Sequence, residues 1–471
     1  MKYIPVMGLE IHAELLCDSK VYCSCPNRFG GRENSRVCPI CAGLPGTLPS
    51  LNRNAVSLAV KAGIALNCKI NNYSAFDRKN YFYPDLPKAY QITQFEYPIC
   101  GEGYLEIEGK KIGIERIHIE EDAGKLTHEG DISLADFNRT GVPLIEIVTK
   151  PDFRTVKEVQ SFVEDVALRL KYAGVCDARL EEGSLRVDVN ISVMPEGSAE
   201  FGTRAEIKNL NSIKSIGRAI EYEISRQSEI LERAEKVIQQ TRRFDSHTGK
   251  TYLMRNKEDA DEYRYFPEPD ILPIRLSNAE IEDIKADMGE MPDKRFIRYT
   301  NEYGLAKDDA SLLIADKEFS DFYDSAADVY GDRIGTAKMM LGEMRRNMND
   351  MGAKMSDLKF SPQDLAELAA LQKDESVSKN AAKDIFKIMF LSGRNPKDIA
   401  KTEGFLMDND TDFLNELTER VIAENEKSVS EYKNGNKKVF GFLMGIVMRG
   451  GGKSVNPSAA KKILEEKLEL S

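Results

Sequence analysis

Three polar side chains alternate with apolar residues in the N-terminal segment GLEIHAEL. Glu10, His12 and Glu14 would share one face of a β-strand, because strand side chains point to opposite faces with a period of two. The intervening Leu9 and Ile11 would then face the core. One interpretation is a half-buried strand whose polar face lies in water. The other is an acid/base or metal site, since carboxylates and imidazoles move protons and bind cations.

Two later segments also place chemically active side chains among apolar residues. IERIHIEEDAGKLTH carries His118, Glu120 and Glu121, and only one of the adjacent carboxylates is expected to join a given site. In TGVPLIEIVTKP, Glu146 interrupts an apolar run, where an unpaired buried carboxylate would be costly. Surface ion pairs or an edge position would also accommodate these residues. Three such strands favour a shared site for Mg²⁺ or Mn²⁺ that could hold phosphate oxygens.

Four cysteines form two close pairs on either side of a Gly-containing loop. These pairs are Cys23-x-Cys25 and Cys38-x-x-Cys41. Two short-range thiol pairs are typical of tetrahedral zinc, whereas free thiols or a redox pair are the alternatives. Four thiolates would complete the coordination shell, so we expect this zinc to be structural.

Further polar residues lie in segments that could bind a nucleotide. FDRKNYFYPDLPKAYQIT combines Lys79 with several aromatic rings, which could hold phosphate or a nucleotide 3′ end, or form a packed loop with solvated charges. The segments LRVDVNIS and TRAEIKNLNS alternate apolar residues with Arg186, Asp188, Asn190, Glu206 and Lys208. We find no phosphate-binding Walker motif and no dinucleotide fingerprint. We therefore expect any nucleotide to be held by a sheet face and metal ions.

The elements that must position these residues change character along the chain. Up to about residue 275, short β-like stretches with a hairpin turn near Gly109 accompany helices predicted at 155–173 and from 212 to about 234. This pattern indicates an α+β fold with an antiparallel sheet. The remainder carries helical spacing, with Gly450–Gly452 ending one helix and Asn456–Pro457 beginning another.

We therefore predict three domains. Residues 1–290 would form an α/β cradle with the metal site and the zinc knuckle, 291–400 a helical domain, and 401–471 a small helical tail. The chain length of 471 residues is compatible with this number.

Composition narrows the class of partner. The net charge of −11 argues against a surface that binds nucleic acid through broad attraction, and we expect no DNA partner. Residues 427–471 are locally basic, with nine Lys or Arg against four Asp or Glu, and are the expected contact for a polyanion. We see neither an apolar run of membrane-spanning length nor a secretory signal, so we expect a cytoplasmic protein without a membrane partner.

Several long segments resemble one known family. GLEIHAEL, FDRKNYFYPDLPKAYQIT, IHIEEDAGKLTH, NRTGVPLIEIVTKPD, EEGSLRVDVNIS, TRAEIKNLNS and DEYRYFPEPD are similar to the B subunit of the aspartyl/glutamyl-tRNA amidotransferases, in one order along the chain. The resemblance implies a heterotrimer that also contains an amidase (the A subunit) and a small C subunit. The B subunit would use ATP to phosphorylate the side-chain carboxylate of Glu-tRNA(Gln) or Asp-tRNA(Asn), and ammonia would displace the phosphate.

The resemblance also implies roles for the residues above. Glu10, His12, Glu121 and Glu146 match the family's Mg²⁺ ligands, and Lys79 lies in a motif near them. The segments with Arg186, Asp188, Asn190, Glu206 and Lys208 match the nucleotide and substrate region. Cys23, Cys25, Cys38 and Cys41 match its zinc-bearing branch. The implied folds are a cradle similar to the glutamine synthetase catalytic domain and a YqeY-like tail, residues 401–471, that contacts tRNA.

Two other functions remain open at this point. A free-standing ATP-dependent amide ligase acting on a small amino acid would use the same metal cradle without needing a basic tail. A non-catalytic tRNA-binding scaffold would use the carboxylates only for stability. The three strands with hard-metal ligands favour the ATP-dependent amidotransferase subunit.

Overall fold

The computed structural model describes residues 2–256, 263–407, 411–451, 455 and 457–470. The chain divides into two compact units, Met1–Pro292 and Asp293–Ser471. The first is a mixed α/β unit and the second is helical, so the coarse fold prediction is confirmed. Among the described residues, no helix is both long and apolar enough to cross a membrane.

The first unit contains fifteen described strands and four described helices. The strands are Tyr3–Glu14 (β1), Tyr73–Ser74 (β2), Asp77–Asn80 (β3), Tyr90–Thr93 (β4), Gly103–Ile107 (β5), Lys110–Glu121 (β6), Lys125–Glu129 (β7), Ile132–Asp136 (β8), Pro143–Thr149 (β9), Leu185–Pro195 (β10), Ala205–Lys208 (β11), Gln240–Asp245 (β12), Lys250–Asn256 (β13), Phe266–Pro267 (β14) and Ile274–Arg275 (β15). The helices are Arg53–Ala65 (α1), Val156–Tyr172 (α2), Ile213–Glu232 (α3) and Asn278–Ala286 (α4).

An eight-stranded sheet with the order β13-β12-β11-β10-β1-β9-β6-β5 forms the centre of this unit. Its neighbours pair antiparallel except β11 and β12, which are parallel. Alternation divides the faces as predicted for β1. Leu9 and Ile11 are buried in a core shared with α1, α2 and α3, whereas the opposite face carries the polar residues.

Local sequence accounts for several element boundaries. Thr155 caps α2 with a reciprocal bond to Glu158, and Ser212 caps α3, so both predicted helices are confirmed. The predicted hairpin joins β5 to β6 through Glu108 and Gly109, whose φ angles of 52° and 79° fit a two-residue type I′ turn.

The second unit is built from helices and short π- and 3₁₀-helical turns. The α-helices are Pro292–Ile297 (α5, beginning at the boundary), Lys307–Ile314 (α6), Lys317–Tyr330 (α7), Arg333–Met339 (α8), Arg345–Met351 (α9), Pro362–Lys373 (α10), Lys379–Ser392 (α11), Pro396–Thr402 (α12), Thr411–Glu424 (α13), Glu426–Lys433 (α14), Val439–Gly451 (α15) and Pro457–Leu470 (α16). The π-helical turns are Arg298–Glu302 and Met340–Met344, and the 3₁₀ turn is Met355–Asp357.

Two separate apolar clusters lie within this unit. One spans residues 299–400 and includes the fully buried Met340 and Met344, and the other spans residues 414–468. The predicted start of α16 at Pro457 is confirmed. Asn456 and Gly452, which belong to the predicted helix boundaries, lie outside the described residues.

Candidate metal-binding site

Two histidines and two glutamates meet on the polar face of the eight-stranded sheet. The register places His12 of β1 opposite Glu146 of β9, which in turn lies opposite His118 of β6. The His12 Nε2 atom lies 3.2 Å from Glu120 Oε1, and the His118 Nε2 atom lies 3.2 Å from Glu146 Oε2. We call His12, His118, Glu120 and Glu146 the His–Glu group. Its members come from three adjacent strands, which hold the four side chains in fixed positions.

Charges within the His–Glu group stabilise one another. Burial would lower the pKa of His12, but the hydrogen bond to Glu120 and the charges of Glu120 and Glu146 raise it to about 9. Burial would raise the pKa of Glu146, but the neighbouring His118 and His12 keep it well below its usual range. Burial would also raise the pKa of Glu120, but the hydrogen bond and charge of His12 lower it, so both carboxylates are ionised at neutral pH. A divalent cation would replace the proton on His12 and bind these oxygens.

This group is one of three candidate metal clusters among the described residues. His12, Glu120 and Glu146 each offer an atom within 4.8 Å of the others. Oxygen donors with imidazole suit Mg²⁺ or Mn²⁺, so the donor set fits the hard cation expected from the sequence.

The structure places the predicted ligand Glu121 apart from the His–Glu group. Because β6 alternates, Glu120 lies on the face of His118, whereas Glu121 points the opposite way. Glu121 accepts hydrogen bonds from Lys88 Nζ at 2.6 Å and from the backbone N–H of Ile92 at 3.0 Å. It is therefore not brought to the His–Glu group.

Glu10 lies in a second cluster on the same face. It joins Asp188 of β10 and Glu206 of β11, and Asn190 Nδ2 donates to Glu10 Oε1 at 2.9 Å. Lys208 Nζ lies 2.5 Å from Asp188 Oδ2 and 2.8 Å from Glu206 Oε1. The ammonium group therefore already neutralises part of this acidic cluster. Burial and the nearby carboxylates Glu146 and Glu206 raise the pKa of Glu10.

A cavity of about 410 Å³ opens beside both clusters, and the predicted nucleotide residues contribute to its wall. Its lining includes His12, Arg186, Asp188 and Lys208. The Arg186 guanidinium donates to Asp122 Oδ2 at 2.9 Å, which holds it at the rim of the polar face. The cavity wall therefore carries one member of each cluster, His12 and Asp188, together with two cations.

Lys79 of β3 supplies a third positive charge near the His–Glu group. Burial would lower its pKa, but interactions with Tyr265, Glu120 and Glu146 raise it, so the side chain is cationic at neutral pH. Its Nζ atom lies 4.9 Å from the ring centre of Tyr263.

The four predicted zinc ligands converge in the structure. Cys23, Cys25, Cys38 and Cys41 offer sulfur atoms within 4.8 Å of one another, and all are free thiols. The Cys41 Sγ atom lies 3.8 Å from Cys38 Sγ and 4.0 Å from Cys25 Sγ. Tetrahedral zinc with bonds of about 2.3 Å requires sulfur atoms roughly 3.8 Å apart. The residues therefore fit zinc.

His118 and Glu120 were candidates in the sequence, but the ligand set implied by the family resemblance contained Glu121 instead of either residue. A signal was available, because Ile117 and Ile119 are apolar neighbours that assign Glu121 to their own face of β6. The position of Glu10 in the second cluster had no comparable signal, since it depends on where β10 and β11 pair.

Comparisons with known proteins find similarity along nearly the whole length of the chain. A family model described as the GatB/GatE catalytic domain matches residues 5–282, and a second, described as a GatB domain, matches 321–468. The B subunit of the aspartyl/glutamyl-tRNA(Asn/Gln) amidotransferase of Ruminiclostridium cellulolyticum is 50% identical over 474 residues, covering 99% of this chain and 98% of the relative.

Two other relatives of the same name show similar agreement. The protein of Thermoanaerobacter pseudethanolicus is 48% identical, covering 99% of this chain and all of the relative. That of Caldicellulosiruptor saccharolyticus is 48% identical, with both chains fully covered. The resemblance found in the sequence is confirmed, and the chain belongs to the family of aspartyl/glutamyl-tRNA(Asn/Gln) amidotransferase B subunits.

Proposed function

We propose that this chain is the ATP-dependent component of a glutamine-dependent tRNA amidotransferase. In this reaction a side-chain carboxylate oxygen of Glu-tRNA(Gln) or Asp-tRNA(Asn) attacks the γ-phosphorus of ATP and ADP leaves. Ammonia then attacks the acyl phosphate and inorganic phosphate leaves, giving Gln-tRNA(Gln) or Asn-tRNA(Asn). The observation that carries the proposal is full-length similarity to the B subunits together with hard-metal ligands on one sheet face.

The His–Glu group would hold Mg²⁺ through His12, Glu120 and Glu146. When bound, the cation would draw together ATP phosphate oxygens and offset their negative charge. Two observations support this metal site. Its donors are carboxylate oxygens and an imidazole nitrogen, and adjacent paired strands hold them in place. The Nε2 atom of His118 lies 3.2 Å from Glu146 Oε2, and His118 would orient that carboxylate.

The neighbouring cations would bind the substrates. Phosphoryl transfer depends on positioning and on stabilising charge at the transferred group. Lys79, Arg186 and Lys208 would supply that charge, and Asp188, Asn190, Glu206 and Glu10 would keep the cations oriented. Glu121, with Lys88, lies apart from this face and has no direct role in metal binding in our proposal.

The remaining features fit a supporting role. The cysteine cluster would hold structural Zn²⁺. The first compact unit and the two apolar clusters of the second support the division into domains 1–290, 291–400 and 401–471. We retain the similarity of the cradle to the glutamine synthetase catalytic domain as a prediction. The basic tail would contact tRNA, and an amidase and a small third protein, the A and C subunits, would complete a cytoplasmic heterotrimer.

The decisive experiment measures ADP release by the assembled complex with Mg²⁺ and ATP. Charged Glu-tRNA(Gln), charged Asp-tRNA(Asn) and free glutamate are compared as acceptors. We expect turnover only with a charged tRNA. Turnover with free glutamate would instead identify a small-molecule ligase.

Two histidine variants test where the chemistry occurs. We expect His12→Ala to lower ADP release at least 100-fold while the complex still assembles. His128→Ala on β7 is the matched control, since that imidazole is exposed, lies outside the His–Glu group and is hydrogen-bonded to Ser133 Oγ at 2.8 Å. Normal turnover by His12→Ala would favour a non-catalytic scaffold.

A further inference from the structure

Lys20 is a fully buried lysine between the cysteine cluster and the turn that precedes β9. Its side chain has a relative exposure of 0%. The ammonium group donates to Cys41 Sγ at 3.6 Å and to the backbone carbonyl of Phe137 at 3.2 Å. A buried cation requires an anion or several acceptors, because it has lost its hydration.

The cysteine cluster provides that anion when it binds zinc. Four thiolates around Zn²⁺ carry a net charge of −2, which a nearby ammonium group would partly offset. Cys41 also accepts a hydrogen bond from the backbone N–H of Cys38 at 3.2 Å. Hydrogen bonds to ligating sulfur atoms stabilise the thiolate form and orient the ligand.

The opposite side of Lys20 meets the segment that leads into β9. The N–H of Val21 donates to Gly141 O at 2.9 Å, in addition to the bond from Lys20 Nζ to Phe137. The N–H of Gly141 donates to Asp122 O at 3.0 Å, and Asp122 N–H donates to Val142 O at 2.9 Å. Residues 137–142 are thus held between the cysteine cluster and the end of β6.

These bonds connect the cysteine cluster to two strands of the His–Glu group. Segment 137–142 continues directly into β9, which carries Glu146. Asp122 follows Glu120 and Glu121 at the end of β6. The zinc loop adds a second connection, because the backbone N–H of Arg36 donates to Asn138 Oδ1 at 2.8 Å.

We propose that Lys20 is a positioning residue that joins the zinc-thiolate cluster to segment 137–142 and thereby fixes Glu120 and Glu146 for metal binding. The inference rests on zinc occupying the four cysteines. In this proposal the zinc cluster does more than crosslink its own loop. It also holds in place the strands that carry Glu120 and Glu146.

The test compares Lys20→Met, Lys20→Arg and the surface control Lys2→Met in the full chain. Zinc release to a colorimetric chelator is followed together with amide hydrogen exchange at residues 137–142. We expect Lys20→Met to release zinc at least tenfold faster and to exchange these amides faster. Lys20→Arg keeps the charge and N–H donors, so we expect it to restore part of both properties.

Two further measurements keep the proposal testable if Lys20→Met does not fold. Zinc removal from the unmodified chain should accelerate exchange at 137–142 and weaken Mn²⁺ binding at the His–Glu group. Unchanged exchange and unchanged Mn²⁺ affinity after zinc removal would overturn the proposal. These measurements need no tRNA or ATP, so their outcome is independent of whether the proposed amidotransferase activity is correct.

Discussion

The Nε2 atom of His12 lies 3.2 Å from the Oε1 atom of Glu120, although the two residues belong to strands that are separated by β9 in the sheet. Glu146 of β9, which pairs with His12 in the register, completes the candidate ligand set. One imidazole and two carboxylates therefore lie close together on the polar face of the sheet. This set of donors is suited to a hard cation.

Adjacent glutamates in β6 should differ sharply in metal binding. We expect Glu120→Gln to weaken Mn²⁺ binding at least tenfold, because it removes a charged oxygen from the His–Glu group. Glu121→Gln should leave Mn²⁺ affinity within about twofold of the unmodified chain, since its carboxylate bonds Lys88 instead. Titration followed by electron paramagnetic resonance measures both affinities. The reverse order of effects would assign the metal to Glu121.

Replacement of His118 should weaken metal binding through Glu146. We expect His118→Ala to lower Mn²⁺ affinity about 10- to 100-fold, the usual cost of losing a partner that orients a ligand. Its Nε2 atom lies 3.2 Å from Glu146 Oε2. His118→Gln, which keeps an N–H donor, should recover part of the affinity. Equal Mn²⁺ affinity in the unmodified chain and both variants would show that His118 does not orient Glu146.

The cysteine cluster should bind about one zinc ion per chain. We expect Cys38→Ser to lose bound zinc and to lower the melting temperature of the chain, because the loop between the cysteine pairs loses its crosslink. Metal content by mass spectrometry and thermal unfolding check both effects. Cys68→Ser is the control, since Cys68 lies outside the cluster. Full zinc content in Cys38→Ser would contradict the assignment.

A buried carboxylate in α3 should make the stability of the first unit depend on pH. Glu223 is fully buried and accepts hydrogen bonds from Arg226 at 2.8 and 2.9 Å. Burial would raise its pKa, but the bonds and charge of Arg226 lower it below the ordinary value of 4.5. Its contribution is therefore present above pH 4.5 and is lost as the pH falls through the folded-state pKa.

Glu223→Gln measures that contribution. We expect it to lower the free energy of unfolding by about 3 kcal/mol at pH 7, because Arg226 loses its negatively charged partner. Urea denaturation gives the value, and the difference from the unmodified chain should shrink at acidic pH. Glu221→Gln, on the exposed side of the same helix, is the control. A difference that is constant with pH would mean that the Glu223 charge does not contribute.

Local patterns predicted much of the architecture. The alternation of GLEIHAEL assigned His12 to the polar face, and Thr155 and Ser212 marked the beginnings of α2 and α3. These features depend on neighbours within a few residues, where strand and helix periods and capping bonds operate. The spacing of the cysteine pairs likewise predicted a group that the structure brings together.

The sequence by itself determined the family, the polar face of β1, the main helices and the four clustered cysteines. Only the tertiary structure decided that Glu120 joins His12, that Glu10 lies with Asp188, and that Lys20 contacts Cys41. These relationships join residues far apart in the chain. They depend on the register between strands and on the packing of the zinc loop, which local periodicity does not specify.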